Sequence, residues 1–231
     1  MGEGRGEGKM NSLREKFQNS PTLARVLPFG IFLALTACQG KFFTGSEYWL
    51  YLAKTFVGAW LVWLTWNAVR EMRWAFSWEA VAGGVGVFAV WVGLDPFYKK
   101  LGAGGTAWNP HTQFGDNAAL AWLFIIARIV GSTLVVPPLE EVFYRSFIYR
   151  SLAGADFEKV PLNRFSWLAF LATAAAFGFS HHEWLAGILC AFAYQGLVLR
   201  KNRLGDAMTA HAITNFLLGL WVVFKPAWNF W

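Results

Sequence analysis

Apolar residues in this chain gather in long blocks, with no period-two alternation, and short polar segments punctuate them. The blocks run approximately 22–39, 47–68, 77–95, 118–139, 165–181, 184–200 and 204–224. A helix needs about 20 apolar residues to cross the hydrocarbon of a bilayer, and most blocks approach that length. A membrane barrel would show short alternating strands instead. The pattern therefore predicts an all-α, polytopic membrane bundle of about seven transmembrane helices, with eight as the alternative count. Residues 1–21 are polar and Gly-rich, which predicts a disordered tail. Residues 22–117 then form an N-terminal set of spans, and residues 118–225 a second set that carries the chemistry.

Composition sharpens this picture. The 231 residues are 56% hydrophobic and only 15% charged, with 14 Trp and 22 Phe, more than a soluble core of this size uses. The net charge of +6 does not point to nucleic acid, because the basic residues sit mostly in the connections between blocks. There they report topology. Arg70, Arg73, Arg150, Lys159, Arg164, Arg200, Lys201 and Arg203 fall on the same side as the basic N-terminus if the chain alternates. The N-terminus is then cytoplasmic and the C-terminus outside, and one extra span would reverse the second statement. Leu35-Thr36-Ala37-Cys38 looks like a lipoprotein cleavage box, but the long polar leader favours a retained first helix. Cys38 and Cys190 lie in apolar runs and read as buried thiols. Asp95–Asn117 is the longest outer connection and reads as an irregular loop, with a substrate lid as the alternative. Gly83, Gly84 and Gly86 suggest close helix packing. No internal repeat supports a transporter of inverted halves.

Ionisable groups inside a membrane are costly, so clusters of them point to function. Three occur in order. Pro137-Pro138-Leu139-Glu140-Glu141 leads to Arg145, Phe177 precedes His181 by four residues, and His211 precedes Asn215 by four. The prolines are expected to break or kink the fourth span, with a helix restarting beyond them. Glu141 and Arg145 are four apart and can pair on one face, whereas Glu140 points elsewhere. That spacing leaves Glu140 free as a base. A carboxylate, two imidazoles and an amide are the parts needed to activate water and hold an oxyanion. Each cluster alone also fits an ion pair, a core histidine or an interhelical hydrogen bond.

Together, Glu140-Glu141-x-x-x-Arg145, Phe177-x-x-x-His181 and His211-x-x-x-Asn215 resemble the CPBP family of type II CAAX prenyl endopeptidases and bacteriocin-processing (Abi) membrane proteases. The chain's size and leading spans are also similar to the CAAX-protease-related proteins of bacterial exopolysaccharide and exosortase (PEP-CTERM) systems. The resemblance implies an intramembrane endopeptidase of the prokaryotic inner membrane. Its substrate would be a peptide or protein, lipid-modified or membrane-embedded, and not a nucleic acid. It implies Glu140 as activator of water with His181 assisting, His211 and Asn215 as oxyanion donors, and Glu141 and Arg145 as support. It implies no cofactor. Zinc on Glu140, His181 and His211 is the alternative, although H-E-x-x-H is lacking. A non-catalytic scaffold or chaperone of the same fold and a small proton-coupled transporter are the competing functions.

Straight helices strain this assembly. A rise of about 1.5 Å per residue puts Glu140 and His211 roughly 12–15 Å from the cytoplasmic ends, but His181 roughly 25 Å. A tilted helix, or one starting below the membrane, would bring them together, and otherwise His182 or another group would replace His181. Arg128 lies about 18 Å above Glu140 on an ideal helix, too far to pair with it. Asp95, Asp116 or a carbonyl is its expected partner.

Overall fold

The computed structural model describes residues 3–102 and 108–231, with side chains from Met10 onward. Helices α1 (Glu3–Asn19), α2 (Pro21–Ala37), α3 (Ser46–Thr65), α4 (Trp78–Leu94) and the short α5 (Pro110–Gln113) occupy the first half. A continuous helix then runs through α6 (Ala118–Val130), a π segment (Gly131–Val135), α7 (Val136–Glu141), a second π segment (Val142–Ile148) and α8 (Tyr149–Ala153). Helices α9 (Trp167–Phe179), α10 (Trp184–Lys201) and α11 (Gly205–Phe224) complete the bundle. No strand occurs among the described residues.

Three of these helices are long and apolar enough to cross a membrane: Trp78–Phe97, Ala118–Ala153 and Gly205–Phe224. A fourth span arises if α1 and α2, bent by 117° at their junction, count as one. The other expected spans are present as α3, α9 and α10 but do not meet the same measure. In α9 the reason is length, since it has only 13 residues. The count of seven therefore stands as helices in place, not as seven full spans.

Helix starts follow their capping residues. Ser20, Ser77, Asn117 and Ser166 each accept a hydrogen bond from the backbone N–H three residues on. Such caps satisfy donors that a helix N-terminus leaves open. The N-terminal tail departs from expectation: Glu3–Asn19 is helical, not disordered. Its distal half has an anchor, because Phe17 is buried in the core and the Arg14 guanidinium lies 4.4 Å from the Trp63 ring. Part of the Asp95–Asn117 connection, residues 103–107, lies outside the described residues, and the lid expectation rests partly there.

Small residues set the helix spacing around the site. A Cβ on Gly84 would stand 2.6 Å from the Ala210 carbonyl oxygen, so α4 and α11 meet backbone to backbone. A Cβ on Gly187 would stand 2.9 Å from the Gly178 Cα, which joins α9 to α10 in the same way. At the opposite end, Glu71 in the α3–α4 connection accepts bonds from Arg25 at 2.8 Å, from Arg150 at 3.2 Å and from the Ser146 hydroxyl. Burial raises the Glu71 carboxyl, but Arg25 and the Ser146 bond outweigh it and leave it below the usual carboxylate range. This cluster ties α2 and the second π segment to one connection.

Candidate active site

The prolines do not end the fourth span. Pro137 and Pro138 lack N–H groups and crowd the preceding turn, and the helix answers by widening to π geometry on either side of α7. Val136 N–H reaches back five residues to the Gly131 carbonyl. In that register the Ser132 carbonyl would be served by residue 137, which is proline. Its donor comes from another helix instead: Asn215 Nδ2 gives it a hydrogen bond of 2.8 Å. The proline thus fixes the amide of Asn215, and leaves that amide one N–H to spare.

The adjacent carboxylates separate as their spacing predicts. Glu141 is fully buried, with Oε2 at 3.2 Å from Arg145 Nε and Oε1 at 2.9 Å from His211 Nδ1. Arg145 is fully buried as well, and its ion pair is off-axis for a hydrogen bond. The guanidinium rests on aromatic faces, 4.4 Å from the Phe177 ring and 5.8 Å from that of Tyr194. Glu140 faces a cavity of about 180 Å³, and its Oε2 has no hydrogen-bond partner. The nearest ring nitrogen is His211 Nε2, at 4.0 Å.

The same cavity is lined by His181, His211 and Asn215, so four of the six sequence-predicted residues share one space. Glu141 and Arg145 lie behind it. His181 reaches the cavity from the turn beyond α9. The helix stops at Phe179, and His181 follows in a tight turn with its Nδ1 at 2.7 Å from the Phe177 carbonyl. Its ring stacks at a tilt on Phe177 at 4.7 Å and meets the edge of Trp91 at 5.6 Å. His182 turns away, with Nδ1 at 2.7 Å from the Leu101 carbonyl. Glu183 also lines the cavity. Burial raises its carboxyl above the usual range.

His211 is fixed from two sides. Tyr194 stacks on it at 5.3 Å and donates to the Thr214 hydroxyl at 2.7 Å, which bonds onward to the Gly84 carbonyl at 2.8 Å. Ionised Glu141 can only accept, so Nδ1 carries the proton of that 2.9 Å contact. Neutral His211 therefore presents Nε2 as an acceptor, and Nε2 donates only when the ring is an imidazolium.

Arg128 is the clearest departure from the expected pairing. Neither Asp95 nor Asp116 meets it, and Asp95 pairs with Lys100 at 2.9 Å. Its guanidinium lies among the rings of Trp108 at 4.4 Å, Tyr51 at 4.9 Å and Trp231 at 5.2 Å. Sequence reasoning also missed Tyr194, Thr214 and Ser132. Tyr194 and Thr214 are polar positions inside apolar helices, and that was their available signal. Ser132 acts through its carbonyl, for which only the downstream proline is a sign.

Among the described residues, no three His, Cys, Asp or Glu side chains converge in a metal-holding cluster. Glu140 and His211 approach each other, but His181 does not complete a triad with them. The arrangement offers a carboxylate with a free oxygen, an amide N–H, and two imidazoles around a small enclosed space. These groups can deprotonate a water and receive a developing oxyanion.

No curated protein and no solved structure shows significant similarity to the chain. Residues 120–217 match the family model for the type II CAAX prenyl endopeptidase Rce1-like proteins. That segment holds α7, His181, His211 and Asn215 together with the helices that position them. Over these residues, less than half of its length, the chain is similar to the CAAX-type membrane proteases.

Proposed function

We propose that this integral membrane protein is an endopeptidase in which Glu140 activates the hydrolytic water. The observation that carries the reading is the contrast between the two carboxylates. Glu141 is consumed by Arg145 and His211, whereas Glu140 keeps an unbonded oxygen at the cavity. Glu140 takes a proton from water, and the water oxygen attacks the scissile carbonyl carbon. The oxyanion receives the spare N–H of Asn215 and the Nε2–H of doubly protonated His211. Collapse of the intermediate breaks the C–N bond, and the proton held by Glu140 passes to the leaving amine, with His181 assisting. No metal takes part in this reading. In this reading the protein sits in a prokaryotic inner membrane, and the basic connections favour a cytoplasmic N-terminus.

The test is cleavage of a quenched peptide library by the purified, reconstituted protein, with and without a chelator. Turnover that is lost in Glu140→Gln and in His181→Ala, and kept with chelator, is the expected result. Retained turnover in Glu140→Gln refutes the role of Glu140. Turnover lost with chelator moves Glu140, His181 and His211 to metal ligands.

A further inference from the structure

Arg128 belongs to α6, on the wall of the same cavity as Glu140, and carries a charge that no side chain neutralises. Among the described residues it has no carboxylate within salt-bridge distance and donates no hydrogen bond. The group beside it is another cation. Lys54 Nζ lies 4.6 Å from the Tyr51 ring that also contacts Arg128, and Lys54 bonds only to Thr36 and Gln39. Two cations in an apolar bundle without a salt bridge are costly. The rings of Tyr51, Trp108 and Trp231 ease that cost, because their faces attract the cation. They supply no hydrogen-bond acceptor in the plane of the guanidinium. The N–H groups of Arg128 remain available, and a planar carboxylate is the anion that matches their fork.

Arg128 and Trp231 also border a second, wider pocket under the α2–α3 loop, with Gln39, Phe43 and Trp108 on its wall. The arginine stands between the two spaces. An extended peptide laid from Glu140 towards this pocket passes it.

We propose that Arg128 binds a carboxylate of the peptide substrate, either the C-terminal α-carboxylate or an Asp or Glu side chain. This rests on the protease reading of the Glu140 cavity. Arg128 and Glu140 are twelve positions apart on one helix, about 18 Å of rise. A fully extended chain covers about 3.4 Å per residue, so about five residues are needed to span that rise. Arg128 is a specificity residue in this assignment, since it touches substrate away from the reacting atoms.

The experiment compares matched apolar hexapeptides bound to the reconstituted Glu140→Gln protein by calorimetry, so that no turnover is required. One pair differs as C-terminal acid against C-terminal amide, and a second as internal Glu against Gln within an amidated peptide. A charge-assisted bond in a desolvated site gives the acid of the relevant pair about a 10- to 100-fold tighter Kd. Arg128→Gln, made in the same background, brings acid and neutral peptides within about twofold, and Arg128→Lys restores part of the gap. The pair that shows the preference names the source of the carboxylate. Equal binding in both pairs overturns the proposal, and so does an acid preference that survives Arg128→Gln. The two readings fail separately. Acid preference without any wild-type cleavage would retire the protease and keep the subsite. Glu140-dependent cleavage of acids and amides with equal affinity would do the reverse.

Discussion

Replacing Glu141 by Gln isolates the charge of one fully buried carboxylate. The amide keeps an oxygen for His211 Nδ1–H, so the 2.9 Å contact survives. What is lost is the partner of Arg145, 3.2 Å away and equally sealed from solvent. At an effective dielectric of about 20, two unit charges at that separation attract by about 5 kcal/mol. Removing one member of a buried pair typically costs about 3–5 kcal/mol, because the other charge stays desolvated. The rings of Phe177 and Tyr194 retain part of the guanidinium's stabilisation, which favours the lower end. About 3 kcal/mol in a chain of this length lowers the melting temperature by roughly 6–12 °C. The assay is thermal unfolding in one detergent, followed by tryptophan fluorescence at a single scan rate. Wild type, Glu141→Gln, Arg145→Met and the double variant complete the cycle. The double variant is expected to regain most of the loss, since it buries neither charge. Glu140→Gln is the internal control and melts with the wild type. A Glu141→Gln protein within about 2 °C of wild type, or a double variant worse than both singles, would refute the buried-pair argument.

Pro137→Ala returns an N–H to the Ser132 carbonyl and releases Asn215. Its kcat should fall about 10- to 100-fold while its melting temperature holds or rises, as a stopped assay and an unfolding scan would show. Gly84→Ala forces a methyl group to 2.6 Å from the Ala210 carbonyl oxygen and should cost about 1–3 kcal/mol in the same unfolding assay. The Glu71 carboxyl is lowered in the folded protein, so its stabilisation is complete above the ordinary carboxylate range and fades as pH falls through the folded value. Glu71→Gln should flatten that acid limb in melting temperature against pH, and an unchanged limb would assign it to other carboxylates.

The division between Glu140 and Glu141 was legible because a four-residue step brings Glu141 back onto the face of Arg145, and a five-residue step does not. The continuity of the fourth span was not. Two adjacent prolines ordinarily stop a helix, and only the π register on both sides, with Asn215 of α11 serving the orphaned carbonyl, lets it run on. That compensation is tertiary and leaves no local trace. The place of His181 was hidden for a related reason: depths counted from an expected span end near residue 139 mislead, because the fourth helix runs on to Ala153. The three rings that receive Arg128 are 20 to 103 positions away along the chain, beyond any spacing rule, and nearby acidic residues drew attention instead.

The brevity of α9 reaches beyond the site. Thirteen residues give about 20 Å of helix, against a hydrocarbon layer of about 30 Å. Trp167, Leu168, Leu171 and Phe179 are exposed on it and form its lipid-facing side. Lipids beside such a helix must shorten their reach, so the bilayer pinches towards the turn that carries His181. Headgroups and water are thereby drawn close to a site that otherwise lies deep in hydrocarbon. Under the proposed mechanism, the annulus of lipid becomes part of the water supply. Turnover should accordingly respond to acyl-chain length, with thick bilayers slowing hydrolysis in a protein whose own fold they leave unchanged.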